Sequence, residues 1–508
     1  MKRSEFLRQL GLIAGGVTFG LDGTLGRAFA HNPMMMDLAT ANGNILVLIQ
    51  LSGGNDGLNT VIPYEDSVYY TKRPALAIKK TDALPINETL GLHPSLSALR
   101  PFYDKNQFTI INNVGYGSPN RSHFRSTDIW MSASESSQYL TEGWMGRYLT
   151  NINPAYPATL PEHPMAVQLG SVESMLLLSQ MGNTATVFED PNQFFQLVSG
   201  SKADTDPPPA TLAGDELKFL KQVASQSIQY SGIIKEKADK GKNTVTYPGT
   251  NLARQLGIVG KLISGGIQTP VYLTTLGGFD THANQLTAHA NLLKTLADAT
   301  AAFLSDMDRQ GLGEKVTVMT FSEFGRRLNQ NGTAGTDHGT AAPLFVLGKS
   351  VKGGLLGGNP NLSDLDSSGD IKFRHDFRQI YSTVLRDYLG MNEIEARTVL
   401  NGKEFGKLPI FRTSIEAVPS DAAFELLPNY PNPVRDVTTF RFSLNRPQRI
   451  RLSLLDLTGQ ELAVLRNEPM DTGVYAQQFD ASTLPEGLYL YSLQGDGGRR
   501  TLRMAVHR

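Results

Sequence analysis

The chain has 508 residues, with 47 Lys and Arg against 48 Asp and Glu and a formal net charge of −1. That length admits more than one domain, and the near-neutral balance argues against a polybasic nucleic-acid binder or membrane-surface protein. No cysteine is present, which removes disulfides, thiolate metal ligands and a cysteine nucleophile, and leaves any metal site to His, Asp, Glu, Asn, Ser, Thr or backbone oxygens.

The chain opens on "MKRSEFLRQLGLIAGGVTFGLDGTLGRAFAH". Lys2, Arg3 and Arg8 form a basic head, a short apolar run follows, and Ala28-Phe29-Ala30 supplies a small-x-small cleavage signal. This three-part layout predicts a signal peptide over residues 1–30, too short in its apolar part to span a bilayer. "RSEFLR" resembles a twin-arginine signal in which Ser4 stands where the second arginine belongs. No later segment reaches the roughly 18 uninterrupted apolar residues of a transmembrane helix, so none is expected in the mature chain.

Residues 44–412 read as an α/β core. "ILVLIQL" (45–51), "FTIINNV" (108–114), "VYLTTL" (271–276), "VTVMTF" (316–321) and "PLFVLG" (343–348) are short apolar, β-branched runs, the pattern of strands buried on both faces. Residues 150–250 are less regular and are expected to form an inserted cap, or else outer-layer packing, with a loop at 202–211 and an amphipathic helix over 214–239. "LARQLGIVGKLIS" (252–264) predicts another helix. Leu286, His289, Leu293, Leu296, Thr300, Phe303 and Met307 recur at helical spacing up to Gly311. Strand 271–276, helix 286–310 and strand 316–321 therefore make a βαβ unit, which requires parallel strands.

Residues 413–428 read as a linker. Beyond them, Ile450, Leu452 and Leu454 alternate with Arg451 and Ser453, and turn signals such as Pro485-Glu486-Gly487 recur. Six or seven such strands make a small β-sandwich over 429–508. "YPNP" (430–433), "LLDLTGQEL" (454–462) and "LPEGLYLYSL" (484–493) resemble the C-terminal sorting domain of type IX secretion substrates. That resemblance implies the type IX machinery as a partner and export to the surface or exterior of a Gram-negative cell.

In open α/β sheets, sites form beyond the carboxyl ends of the strands. The informative polar residues of the core fall there. Strand 45–51 leads to Asn55, Asp56 and Asn59; strand 108–114 to Ser118, Asn120, Arg121, Ser122 and His123; strand 271–276 to Asp280 and His282; strand 316–321 to Ser322, Glu323 and Arg326. Asp337 and His338, in "GTDHG", join them only if their loop crosses back before strand 343–348. Carboxylates and imidazoles aimed at one point repel unless a cation is shared, so the pattern points to an O/N-ligand metal site. Each motif has a plainer use. Asp56 fits a turn, Asp280 a helix cap, Glu323 an ion pair with Arg326 or Arg327, and Ser122 and His123 the start of a helix toward Trp130.

Taken together, "LVLIQLSGGNDGLNTVIPY" (46–64), "RSHFRSTDIW" (121–130), "GGFDTHANQ" (277–285), "TFSEFGRRLNQNGTAGTDHGTAAPLFVLG" (320–348) and "DFRQIYSTVL" (376–385) resemble the domain-of-unknown-function 1501 family. That family is grouped with the alkaline-phosphatase-like superfamily. The resemblance implies an α/β/α sandwich with a mostly parallel sheet and a site for two divalent metals (Zn, Mn, Mg or Ca). It makes Asp56 the first-strand ligand, Asp337 and His338 the Asp-His pair of the same metal, and Asp280 and His282 part of a second metal site. His375 stands in roughly the order of a further ligand but outside the family motif. Gly117 occupies the nucleophile slot, leaving Ser118 or Ser122 to substitute.

The expected activity is metal-dependent hydrolysis of a phosphate or sulfate ester outside the cell. Arg121 or Arg326 would hold the nonbridging oxygens, and Glu323 would orient a ligand or act as base. The alternative is a non-catalytic surface protein that reuses the fold to bind a ligand.

Overall fold

A computed structural model describes residues 43–412 and 423–507, apart from 203–205, 208, 210, 431, 433, 435, 445, 458 and 497. The expected signal peptide and most of the expected linker lie outside the described residues. The chain divides into two compact units, Met1–Arg412 and Thr413–Arg508.

The first unit is built on one nine-stranded sheet. Its strands are β1 (Ile45–Ser52), β2 (Phe108–Gly115), β3 (Ala166–Leu169), β4 (Ala185–Phe188), β5 (Val271–Gly277), β6 (Val316–Phe321), β7 (Ala342–Leu347), β8 (Gly354–Leu356) and β9 (His375–Asp376). The order across the sheet is β8-β2-β7-β6-β1-β5-β3-β4, with β9 also paired to β2. Strand β1 lies parallel to both β5 and β6, and β7 alone runs against its neighbours β6 and β2. The βαβ unit read from the sequence is present: α4 (Gln285–Arg309) connects β5 to β6. Residues 150–250, expected as a cap or else outer-layer packing, form no separate cap: their long helix packs in an outer layer, and they give the sheet β3 and β4, parallel extensions beyond β5. These runs have only four residues each, too short for periodicity to reveal.

Alternation along β1 feeds two apolar layers. Leu46 and Leu48 face a cluster that includes Ile129 and Trp130 of α1 (His123–Ser132) and Phe377 and Tyr381 of α5 (Phe377–Thr383). Val47 and Ile49 face the other layer, with Tyr230 and Ile234 of α2 (Leu212–Lys240), Leu256 and Val259 of α3 (Asn251–Ser264), and Leu293 and Phe303 of α4. Burial on both faces is why these strands read as continuous apolar runs. The result is the α/β/α architecture with a mostly parallel sheet that the sequence implied.

Among its described residues the second unit has seven strands: β10 (Phe424–Tyr430), β11 (Val437–Leu444), β12 (Gln448–Leu455), β13 (Glu461–Met470), β14 (Gly473–Asp480), β15 (Gly487–Gly495) and β16 (Gly498–Val506). They form two antiparallel sheets, β10-β11-β14 and β13-β12-β15-β16. Ile450, Leu452 and Leu454 of β12 share one core with Phe440 and Phe442 of β11. Among the described residues, no helix is long and apolar enough to cross a membrane.

Candidate functional site

Sheet direction decides which loops meet. The parallel strands β1, β2, β5 and β6 all end at one edge, and the reversed β7 begins there. After β6 the chain folds back on itself: Arg326 and His338 form an antiparallel bridge, Gly339 N–H donates to Gly325 O at 2.8 Å, and Gly325 N–H donates to Thr340 O at 2.8 Å. The "GTDHG" segment thus reaches the same edge as the other polar loops.

Two glycines let the loop after β1 press against its neighbours. Gly53 has φ +118° and Gly54 φ +79°, and a Cβ at either would lie 2.4 Å from Asp280 N or the Phe324 ring, respectively. Only glycine meets both demands cheaply. The close approach lets Gly53 N–H donate to Glu323 Oε1 at 2.9 Å.

Three imidazoles surround the Asp280 carboxylate. Its Oδ1 lies 3.3 Å from His123 Nε2, 3.1 Å from His282 Nε2 and 3.2 Å from His338 Nε2. His282 Nε2 and His338 Nε2 are themselves 2.9 Å apart. Each ring turns its other nitrogen to an oxygen. His123 Nδ1 is 2.8 Å from Glu323 Oε1, His282 Nδ1 is 3.2 Å from Asp337 Oδ1, and His338 Nδ1 is 2.8 Å from Arg121 O. A carbonyl or ionised carboxylate only accepts, so each Nδ1 can donate to its oxygen, the tautomer that leaves Nε2 with a lone pair when the ring is neutral. His123 Nε2 is buried without a hydrogen-bond partner. His123, Asp280 and His338 form a group that could hold a metal ion. Nδ1–oxygen contacts of this kind orient imidazoles that ligate a metal.

Arg326 supports this cluster from the interior. Its buried guanidinium donates to Asp280 Oδ1 at 2.6 Å, Gly54 O at 2.9 Å, Thr336 O at 2.8 Å and Phe279 O at 3.1 Å, and also to Gly53 O. Burial alone would raise the Asp280 carboxyl, but the Arg326 hydrogen bond and charge hold it down at about 2. Burial pushes the His338 imidazole below its ordinary value, which favours the neutral, ligating form. Beside the cluster is an open cleft of about 410 Å³, lined by Gln50, Ser52, Phe124, Thr127 and Asp128 along with His123, Asp280 and Glu323. Phe124 is 87% exposed. Burial raises the Asp128 carboxyl, against the pull of the Arg125 charge.

The expected residues divide. Asp280, His282 and His338 converge. Asp337 stands behind His282, not beside His338's free nitrogen, and Glu323 stands behind His123. Asp56 does not join the Asp-His pair: it is fully buried against Arg73, with Oδ2 2.6 Å from Nη1. Neither arginine is free to grip an anion, because Arg326 is interior and Arg121 is ion-paired with Asp370, its Nε 2.8 Å from Oδ2. Ser118 (φ +52°) and Ser122 are exposed, and the structure gives neither hydroxyl a hydrogen bond to the cluster. Asp280 does not cap α4, which begins after Asn284. His375 lies in β9 against β2, without a contact to the three histidines. His123 has no ligand role in the sequence reading. Its one signal was its place in the loop after a parallel strand; as the first residue of α1, it looked like part of a helix start.

Residues 263–407 match the family described as Protein of unknown function (DUF1501). The match bears out the resemblance on the segments carrying Asp280, His282, Glu323, Asp337 and His338, while "LVLIQLSGGNDGLNTVIPY" and "RSHFRSTDIW" lie outside it. Residues 429–507 match the Secretion system C-terminal sorting domain, which implies export to the cell surface or extracellular space. No curated protein matches the chain. Among solved structures, PsFucS1 sulfatase from Pseudoalteromonas sp. is 11% identical over 89% of this chain and 88% of its own, with TM-score 0.32. A protein in the alkaline phosphatase superfamily from Vibrio parahaemolyticus is 10% identical over 95% of this chain and 93% of its own, with TM-score 0.30. Dimeric latent PorU from Porphyromonas gingivalis is 24% identical over 19% of this chain but only 10% of its own, with TM-score 0.14. Likenesses of this size bear on neither the chemistry nor the substrate of this chain.

Proposed function

We propose that the first unit is a metal-dependent hydrolase, and that the second unit addresses it to the type IX secretion machinery of a Gram-negative cell. The observation that supports the metal centre is the meeting of three Nε2 atoms on Asp280 Oδ1 within 3.3 Å. Ligands about 2.0–2.1 Å from a tetrahedral zinc ion lie about 3.3 Å from one another, close to these separations. An imidazole-rich set suits zinc or another transition ion better than Mg or Ca. His123, Asp280, His282 and His338 would hold the ion, which supplies Lewis-acid chemistry when bound.

The chain's own groups do the rest. Glu323, Asp337 and the Arg121 carbonyl keep the imidazoles in the ligating tautomer, and Arg326 keeps Asp280 ionised and aimed. Asp128 is the cleft carboxylate outside the centre, and its raised proton affinity suits a base that takes a proton from a nucleophile. Phosphate or sulfate esters are the substrates that the family resemblance implies. The clamp expected of Arg121 or Arg326 is absent from this scheme, since both are committed elsewhere. That commitment, with no hydrogen bond from Ser118 or Ser122 to the cluster, favours a second reading: a metal-bearing surface protein that binds a ligand without turning it over.

Metal content and hydrolysis of a phosphate- and sulfate-ester panel, measured on wild type, His338→Ala, Asp128→Asn and Ser122→Ala, separate these readings. The hydrolase reading requires bound metal, activity lost in His338→Ala and Asp128→Asn, and activity kept in Ser122→Ala. Bound metal with no turnover on any ester supports the binding protein, and a metal-free wild type refutes both.

A further inference from the structure

The residue that the family resemblance makes the first-strand metal ligand already has a cation of its own. Asp56 and Arg73 are both without solvent exposure, and Asp56 Oδ2 lies 2.6 Å from Arg73 Nη1. The guanidinium is held on every side: Nη1 donates to Asn59 Oδ1 at 2.9 Å, Nε to Leu328 O at 2.9 Å and Nη2 to Arg327 O at 2.7 Å. Gln285 Nε2 donates to the same carboxylate oxygen as Arg73. We propose that the centre is mononuclear: Arg73 fills, as a fixed charge, the place a second metal ion would take at Asp56, so the folded chain takes one divalent ion at His123, Asp280, His282 and His338 and none at Asp56. The inference rests on the metal centre proposed above.

The other groups that a second site would need point elsewhere. Asn55, next to Asp56, accepts from His289 Nε2 at 3.0 Å and from Thr60 Oγ1 at 3.0 Å. Asp337 turns to His282 and accepts from Asn331 Nδ2 at 3.3 Å. His338 turns Nε2 to Asp280 and Nδ1 to the Arg121 carbonyl. What remains is Asp56 Oδ1, buried without a hydrogen-bond partner. A single oxygen does not hold a divalent ion, which takes four or more ligands. Displacing the guanidinium would break its bonds to three backbone and side-chain acceptors as well as its pairing with the carboxylate, to which its planar fork is well matched.

The test counts ions. Full-length protein stripped with a chelator is titrated with Zn, and bound metal per chain is read by elemental analysis after desalting and by native mass spectrometry. The expected result is one ion per chain in wild type, one in Asp56→Asn, and less than a tenth of an ion in the His282→Ala/His338→Ala double variant. The paired variant Asp56→Asn/Arg73→Gln removes both buried charges, guards against misfolding of the single variant, and is also expected to keep one ion. Two ions in wild type overturn the inference and leave the metal centre standing. Loss of the ion from a folded Asp56→Asn or paired variant overturns it as well, by making Asp56 a ligand. No ion in wild type overturns the centre itself, and the inference with it.

Discussion

His123 Nδ1 and Glu323 Oε1 are 2.8 Å apart, although 200 positions separate them in the chain. The contact ties the first turn of α1 to the loop after β6, and the same carboxylate oxygen accepts Gly53 N–H from the loop after β1. One buried carboxylate therefore aligns three of the loops that build the site. Outer-shell partners of this kind are worth about 10–100-fold in metal affinity. Glu323→Ala is expected to weaken Zn binding by that factor and Glu323→Gln, which keeps an acceptor, by less. Competition with a chromophoric chelator measures both; equal affinities in all three proteins would make Glu323 a structural residue only.

Arg73 and Asp56 form a fully buried pair. Removing one partner of such a pair strands a charge in the interior and costs about 3–5 kcal/mol. Arg73→Met is therefore expected to lower unfolding free energy by about that amount in urea titrations of the first unit's transition, and the paired neutral variant Asp56→Asn/Arg73→Gln by clearly less. A single variant as stable as wild type would show that the carboxylate finds another partner.

Burial depresses His93 and His289 to about 4 each, and His93 Nδ1 accepts Ser95 N–H at 3.1 Å, a bond only the bare nitrogen can make. Unfolded histidine titrates near 6.5. With folded values below that, the unfolded chain binds more protons between the two, so the contribution to stability is complete above about pH 6.5 and is lost as pH falls through 4. Each group contributes on the order of 3 kcal/mol. Urea midpoints taken from pH 7.5 to 4.5 should fall with acid, and the slope should flatten in His93→Gln. An unchanged slope would place the acid sensitivity elsewhere.

Phe124 follows His123 directly, lines the cleft and is 87% exposed. Covering a ring of that size on binding contributes about 1.5–3 kcal/mol, so Phe124→Ala is expected to raise KM about tenfold or more with kcat nearly unchanged. A fall in kcat at constant KM would instead assign the ring to the chemical step.

The second unit keeps its own core, with Phe440, Phe442, Ile450, Leu452 and Tyr491 all nearly inaccessible. Removing residues 423–508 is expected to leave the metal content and urea transition of the first unit unchanged while the protein no longer reaches the cell exterior. Fractionation of cells making the two forms checks the second point; equal external amounts would remove the sorting role.

Most of the α/β core was legible before folding was considered. Strand β6 was bounded as Val316–Phe321 by its apolar run alone, and α3 and α4 were found to within a residue at each end, because strong periodicity reports burial directly. The four-residue strands β3 and β4 were not, since a short run inside an irregular region carries no period to count. Of the candidate cluster, Asp280, His282 and His338 are legible in the sequence through the joint fall of polar loops at one sheet edge and through the family resemblance, since each motif alone also fits a plain turn or cap. His123 falls among the polar residues at that edge but also fits the start of a helix, which it is, and the family resemblance gives it no ligand role. Asp56 was misplaced because its spacing after β1 says nothing about Arg73, 17 positions on.

Local sequence determined the longer apolar strands, the long helices, a small all-β tail and the family to which 263–407 are matched, since each depends on near-neighbour patterns of apolar and turn residues. Only the tertiary structure decided which charges meet. The reversal of β7 brings His338 to the edge where β5 delivers Asp280, and the fold at Leu328 encloses Arg73 against Asp56. A carboxylate's role follows from whichever positive group lies within about 3 Å of it, and that separation comes from long-range packing, which spacing along the chain does not encode.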